Sequence, residues 1–163
     1  MKNVNSYIFP INTIVCILIL FIVAFTVIAL GWKPCPMCLL QQLSVLCILV
    51  FSILGWIKKS PKSFSIIIRI IILIIIIFGM YLAADQIYLQ YFANTPATNV
   101  ASCGGIDNPF LLNVTKSITG SVESCSEISE SISGYSLAVY SLLFFTGLLI
   151  INCISFFIKI FKK

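Results

Sequence analysis

Four stretches of this chain are almost unbroken runs of apolar residues, and the polar residues gather between them. They cover about 11–30, 39–57, 66–82 and 137–158. Each comes close to the roughly 20 residues a helix needs to cross the hydrocarbon core of a bilayer. Ile and other β-branched residues abound in them, but strands do not follow. In lipid an isolated segment must satisfy its own backbone, and only a helix does so. A β-barrel would show apolar and polar residues in alternation, and none is visible. The pattern predicts an all-α membrane protein: a four-transmembrane-helix bundle, one domain over 1–163, with a long outer loop at about 85–134 between helices three and four. The first stretch exceeds the roughly 7–15-residue core of a cleaved signal peptide and no Ala-x-Ala site follows it, so it reads as a retained anchor.

Charge gives the bundle an orientation. Charged residues make up 9% of the chain, against roughly 25% in a soluble domain. Lys2, Lys58, Lys59, Lys62, Arg69, Lys159, Lys162 and Lys163 fall to one side of the apolar stretches, and only Lys33 and Lys116 to the other. Positive residues favour the cytoplasm, so both termini and the 58–65 turn are expected there. Arg69, one turn inside the third stretch, is expected to snorkel back to that surface. All five acidic residues lie in the outer loop. The net charge of +5 sits at helix ends and forms no basic patch with aromatics, which argues against a nucleic-acid partner.

The outer loop is rich in Ser, Thr, Asn and Gly and holds little core of its own. Asn108-Pro109 reads as a helix start, and Phe110, Leu111, Val114 and Ile118 then share one helical face. That describes either a short helix lying on the bilayer or a partly ordered loop.

With no histidine in the chain, a Cys-His or Ser-His-Asp machine and His-ligated haem or metal are excluded within it. The seven cysteines fall into two groups. Cys16, Cys47 and Cys153 lie inside apolar stretches and read as small hydrophobes. Cys35, Cys38, Cys103 and Cys125 lie on the outer side, where an even number reads as disulfides, naturally Cys35–Cys38 and Cys103–Cys125. A Cys103–Cys125 bridge would stabilise the loop by about 3 kcal/mol in the chain-entropy model. A bridge across two residues closes almost no chain and suits opening and closing better than stapling. Zinc would be a rival use of four cysteines, but ribbon sites use two close pairs and the second pair here is split by 21 residues. No metal is expected.

Trp32-Lys33-Pro34-Cys35-Pro36-Met37-Cys38 stands where the first outer turn meets the second stretch. Pro36 suits the first helical position, which puts Cys35 near the N-cap and Cys38 near the third position. Free backbone N–H groups and the helix dipole there favour a thiolate. A redox pair needs an acceptor, and the chain carries neither histidine for haem nor a nucleotide-binding fingerprint. A quinone dissolved in the bilayer is the simplest one. Cys38 and Gln42 are four apart on one face, and Gln41 lies beside them. Polar side chains at that depth are candidate ligand contacts, so Cys38, Gln41 and Gln42 are the expected quinone-binding residues. Contacts with headgroups or neighbouring helices are the plainer reading of the two glutamines.

These residues together resemble the DsbB family, the quinone-linked thiol oxidases of the bacterial disulfide-forming pathway, with their DsbI and BdbC relatives. The resemblance covers nearly the whole chain. It includes the four spans, Lys-Pro-Cys-Pro-Met-Cys-Leu-Leu-Gln at 33–41, Leu89-Gln90, Ser102-Cys103-Gly104, and Cys125 followed by Gly134-Tyr135-Ser136-Leu137. Proteins similar to vitamin K epoxide reductase place their loop cysteines before the CxxC, whereas here the CxxC comes first. The resemblance implies an inner-membrane oxidoreductase with its active cysteines periplasmic. A reduced DsbA-like donor of thioredoxin fold would attack Cys103–Cys125 through Cys103. Cys125 would then exchange with Cys35, and Cys38 would donate to ubiquinone or menaquinone. The chain departs from the family pattern at Gln42, where arginine is usual, and at Asp85-Gln86, where many relatives have Arg-His. The alternative is a small tetraspan protein whose outer loop is held by static disulfides.

Overall fold

The computed structural model describes residues 7–32, 35–57, 62–92, 113, 116–117, 125, 131–132 and 134–161. Four long helices account for most of them: α1 (Ile8–Leu30), α2 (Pro36–Ile57), α3 (Lys62–Tyr91) and α4 (Leu137–Phe161). All four are long and apolar enough to cross a membrane. They form an up-and-down bundle in which α1 packs on α2, α2 on α3 and α3 on α4, while α1 touches α4 only lightly.

The core is aliphatic and aromatic, built from Phe9, Cys16, Val45, Ile48, Ile72, Ile76, Phe145 and Leu148. The outside is no more polar than the inside. Ile28 is 83% exposed and Ile57 77%, a surface that is stable only against lipid. With no hydrophobic drive between helices in such a solvent, close packing has to hold them together. Gly79 on α3 lies flat under the Phe145 ring of α4, and Gly55 on α2 under Phe9 of α1; a Cβ at either place would collide with the ring.

The chain turns sharply where the sulphur chemistry begins. Gly31 ends α1 in the left-handed region at φ 67°, which glycine adopts without penalty. The Trp32 amide then donates back to the Thr26 carbonyl at 3.5 Å. Two residues past Trp32, outside the described set, the chain re-enters at Cys35. Before α4 a minimal antiparallel hairpin pairs β1 (Ser131–Ile132) with β2 (Tyr135–Ser136).

Two expectations change. The third helix does not stop near residue 82. It continues to Tyr91, so Asp85, Gln86, Leu89 and Gln90 are helical and the connection to α4 starts later than residue 85. Asp85 and Gln86 end the apolar run but not the helix, because the face bearing Leu82, Gln86 and Leu89 still packs against the bundle. Its 30 residues span about 45 Å, well beyond a hydrocarbon core of about 30 Å. Second, Arg69 does not reach outward. It is 4% exposed, donates to Ser155 Oγ at 3.2 Å and lies 5.3 Å from the centre of the Phe9 ring. A hydrogen bond and a cation–π contact inside the bundle serve the guanidinium better than a stretched path to the surface. α2 begins at Pro36, the first helical position that the sequence predicts for it.

Of the helix expected after Asn108-Pro109, Asn113, Lys116 and Ser117 are described. All three are helical, and Ser117 Oγ donates to the Asn113 carbonyl at 2.8 Å. The rest of that expectation lies outside the described residues.

Candidate active site

The tip of α2 is built around sulphur. Pro36 takes the first helical position, where its missing N–H is no loss. Cys35 therefore stands at the N-cap and Cys38 at the third position, as the spacing predicts. The Cys35 sulphur does the work of a capping oxygen, accepting the Cys38 N–H at 3.3 Å. The Leu39 amide donates to the Cys35 carbonyl at 3.1 Å. The two side chains turn toward each other and place their Sγ atoms 2.8 Å apart as free thiols.

Cys35 is buried and Cys38 half-buried. The hydrogen bond to Cys38 and then burial push the Cys35 thiol well above the ordinary thiol range. The two sulphurs stand at hydrogen-bonding distance, and either can donate to the other.

The neighbours of the pair come from the two helices farthest along the chain. Gln86 on α3, 3% exposed, directs its Nε2 to Cys38 Sγ at 3.3 Å and to Cys35 Sγ at 3.4 Å. Its Oε1 stands farther from Cys38 Sγ, at 3.9 Å, and accepts from Gln41 Nε2 at 2.9 Å. Gln41 Oε1 in turn accepts from the Ser141 hydroxyl of α4 at 2.6 Å. Three helices therefore meet at the sulphurs through one polar chain.

A further sulphur joins them. Cys125 is disulfide-bonded and 1% exposed. It packs in one apolar cluster with Cys35, Met37 and Leu82, with Cys38, Leu40 and Leu89 at the edge. A residue ninety positions down the chain thus brings a third sulphur against the Cys35–Cys38 pair.

Of the residues singled out from the sequence, the fold gathers Cys35, Cys38, Cys125 and Gln41. Cys103 lies outside the described residues. Gln41 is 6% exposed and turns into the bundle, where Gln86 and Ser141 occupy its amide. Gln42 stays half-buried on the Cys38 face and makes no hydrogen bond among the described residues. Cys16, Cys47 and Cys153 are free thiols within α1, α2 and α4. Gln86 and Ser141 are not among the site residues read from the sequence. The spacing of Leu82, Gln86 and Leu89 at one helical face is the signal that could have found the first. Nothing near Ser141 marks the second.

The family model described as "Disulfide bond formation protein DsbB" matches residues 5–155. The chain belongs to the DsbB family. Relatives named "Disulfide bond formation protein B" include one from Psychrobacter sp. (strain PRwf-1), 28% identical over 82% of this chain and 80% of the relative. One from Polaromonas sp. (strain JS666 / ATCC BAA-500) is 26% identical over 87% of this chain and 84% of its own length. One from Chromohalobacter salexigens is 31% identical over 74% and 72%. No solved structure matches the chain. This DsbB-family chain is accordingly a multi-pass membrane protein of disulfide bond formation, and an oxidoreductase by the chemistry of that family.

Proposed function

We propose that the protein is a thiol:quinone oxidoreductase that reoxidises a periplasmic, DsbA-like dithiol protein. The observation that carries this reading is the packing of disulfide-bonded Cys125 against the free Cys35–Cys38 pair. Disulfide exchange needs a thiolate within reach of a disulfide sulphur, and little else.

Electrons enter at the loop disulfide, Cys103–Cys125 in the family pattern. A donor thiolate attacks Cys103 and releases Cys125, and the donor's second thiol then resolves the mixed disulfide, leaving both loop cysteines reduced. Cys125 attacks Cys35 when the CxxC is oxidised, and Cys103 closes the loop bridge again. Cys35 and Cys38 are left as the reduced pair. The Cys35 sulphur, accepting the Cys38 N–H, holds the pair at the helix tip. Cys38 and Gln42 would hold a quinone, which would supply a two-electron, two-proton acceptor for the return of Cys35 and Cys38 to the disulfide. The donor set suits such a ring. Cys38 is half-buried, Gln42 presents an uncharged amide one turn away, and Leu46 another turn on is exposed on the lipid side. Gln41 is assigned no quinone contact, because its amide already serves Gln86 and Ser141.

The lysine and arginine distribution supports an inner-membrane location with both termini cytoplasmic and the sulphurs periplasmic. The test is cysteine trapping in intact membranes. With the quinone pool oxidised, Cys35 and Cys38 should resist alkylation, and with the pool depleted both should be labelled. A pair that stays blocked without quinone would instead be a static bridge. Cys38→Ser, which leaves no CxxC disulfide to receive the electrons, should stop turnover and hold the loop cysteines reduced.

A further inference from the structure

The amide and hydroxyl hydrogens behind the sulphur pair run one way, against a single longer contact in which Cys38 Sγ donates back to Gln86 Oε1 at 3.9 Å. The Ser141 hydroxyl donates to Gln41 Oε1, Gln41 Nε2 donates to Gln86 Oε1, and Gln86 Nε2 faces both sulphurs. Each carbonyl accepts from the donor behind it, and each amide turns its NH2 group forward. Hydrogen bonds strung head to tail polarise one another, and more so in a dry interior. Gln41 and Gln86 are both buried. Gln42, one turn on from Cys38, brings no charge to the site.

We propose that Ser141, Gln41 and Gln86 form a one-way donor relay that stabilises the reduced Cys35–Cys38 pair and so makes its disulfide easier to reduce. Gln86 touches the reacting sulphurs; Gln41 and Ser141 are positioning residues behind it. The inference rests on the redox cycling proposed above and adds what tunes it. Donors favour a thiolate over a disulfide sulphur, because hydrogen bonds to the charged form stabilise that form. Reversing both amides would aim a carbonyl oxygen at the sulphurs. That would suit two thiols in need of acceptors, whereas the structure turns Nε2 toward both sulphurs, at 3.3 and 3.4 Å, and holds Oε1 farther off. A pair that accepts electrons from a dithiol whose disulfide is itself a strong oxidant requires such help.

The experiment is a redox titration of the full-length protein in quinone-free nanodiscs. The balance is one Cys35–Cys38 disulfide plus two glutathione thiols against two cysteine thiols plus one glutathione disulfide. Cys35 and Cys38 are read individually by mass-tagged alkylation, so the loop cysteines do not interfere. Gln86→Leu should move the equilibrium about tenfold toward the disulfide, which for a two-electron couple is about 30 mV. Gln41→Leu should move it by about three- to tenfold, and Ser141→Ala by about two- to threefold, in the same direction. Ser141→Thr should restore the wild-type value. A merely structural role would lower thermal stability and leave this equilibrium in place. Equilibria within about twofold of wild type for all three variants, or a shift of Gln86→Leu toward the dithiol, would overturn the proposal. Should Gln86→Leu fail to fold, Gln41→Leu and Ser141→Ala decide. Quinone is absent throughout, so a static answer in the trapping experiment would reject the oxidase reading without touching these equilibria.

Discussion

The bundle buries polar side chains at both ends, and the two ends use them differently. At the Arg69 end the groups close on one another. Asn12 and Asn152 exchange hydrogen bonds at 2.9 and 3.2 Å, Asn152 also donates to the Leu148 carbonyl at 2.8 Å, and Arg69 is held by Ser155 and Phe9. At the CxxC end the chain from Ser141 through Gln41 and Gln86 is open, and its last donors face two sulphurs. A closed polar set inside a membrane bundle fixes which helices meet, here α1 with α4. An open set, whose final partner is a reactive atom, can change that atom's chemistry. Burial alone does not tell the two apart, but following the hydrogens from donor to acceptor does.

Five substitutions would break or sharpen this contrast. The largest effect belongs to the sulphurs. Cys35→Ser should lower donor oxidation by about a thousandfold or more, since an activated thiol acts with its partners as a unit. Its thermal unfolding should remain near that of the parent protein, and both are read on purified protein in lipid. Next comes the closed end. Asn12→Leu leaves the Asn152 amide without its partner and should cost about 1–2 kcal/mol in a steric-trap or denaturant assay. Adding Asn152→Leu should recover part of that cost, and neither variant should shift the Cys35–Cys38 equilibrium. A shift there would mean that the two ends are coupled. Ser155→Ala removes one hydrogen bond to a guanidinium that keeps its ring contact, and about 1 kcal/mol or less is expected in the same assay. The smallest effect is expected at Gln42. Gln42→Arg should leave quinone reduction equal or somewhat faster in stopped-flow absorbance, because a cation on the Cys38 face favours a thiolate. A large loss of rate would show that Gln42 is tuned to something other than charge.

Much of this was legible along the chain. Length and apolarity determine the four helices, because lipid leaves an isolated backbone no other way to satisfy itself. The Cys-Pro-Met-Cys spacing puts a capping sulphur at Cys35 and its partner at Cys38, because proline prefers the first helical position. Three things were not legible. The end of α3 was hidden because the apolar run stops at Asp85 while the packed face does not. Gln86 therefore read as loop although it is the nearest amide to both sulphurs. Arg69 read as an outward-reaching cation because its partners, Ser155 and Phe9, stand 86 and 60 positions away in sequence. Ser141 and the Asn12–Asn152 pair depend on how far helices slide along one another, which local patterning does not encode.

The overlong α3 has one more consequence. A helix that outruns the hydrocarbon keeps its register through its neighbours and not through the bilayer. Met37, Leu82 and Cys125 lock the α2 tip beside that projecting end, so the height of the sulphurs is a dimension of the protein. Thinner or thicker lipid would make the whole bundle tilt or the lipid deform around it, while the spacing between thiols and amide stays as it is.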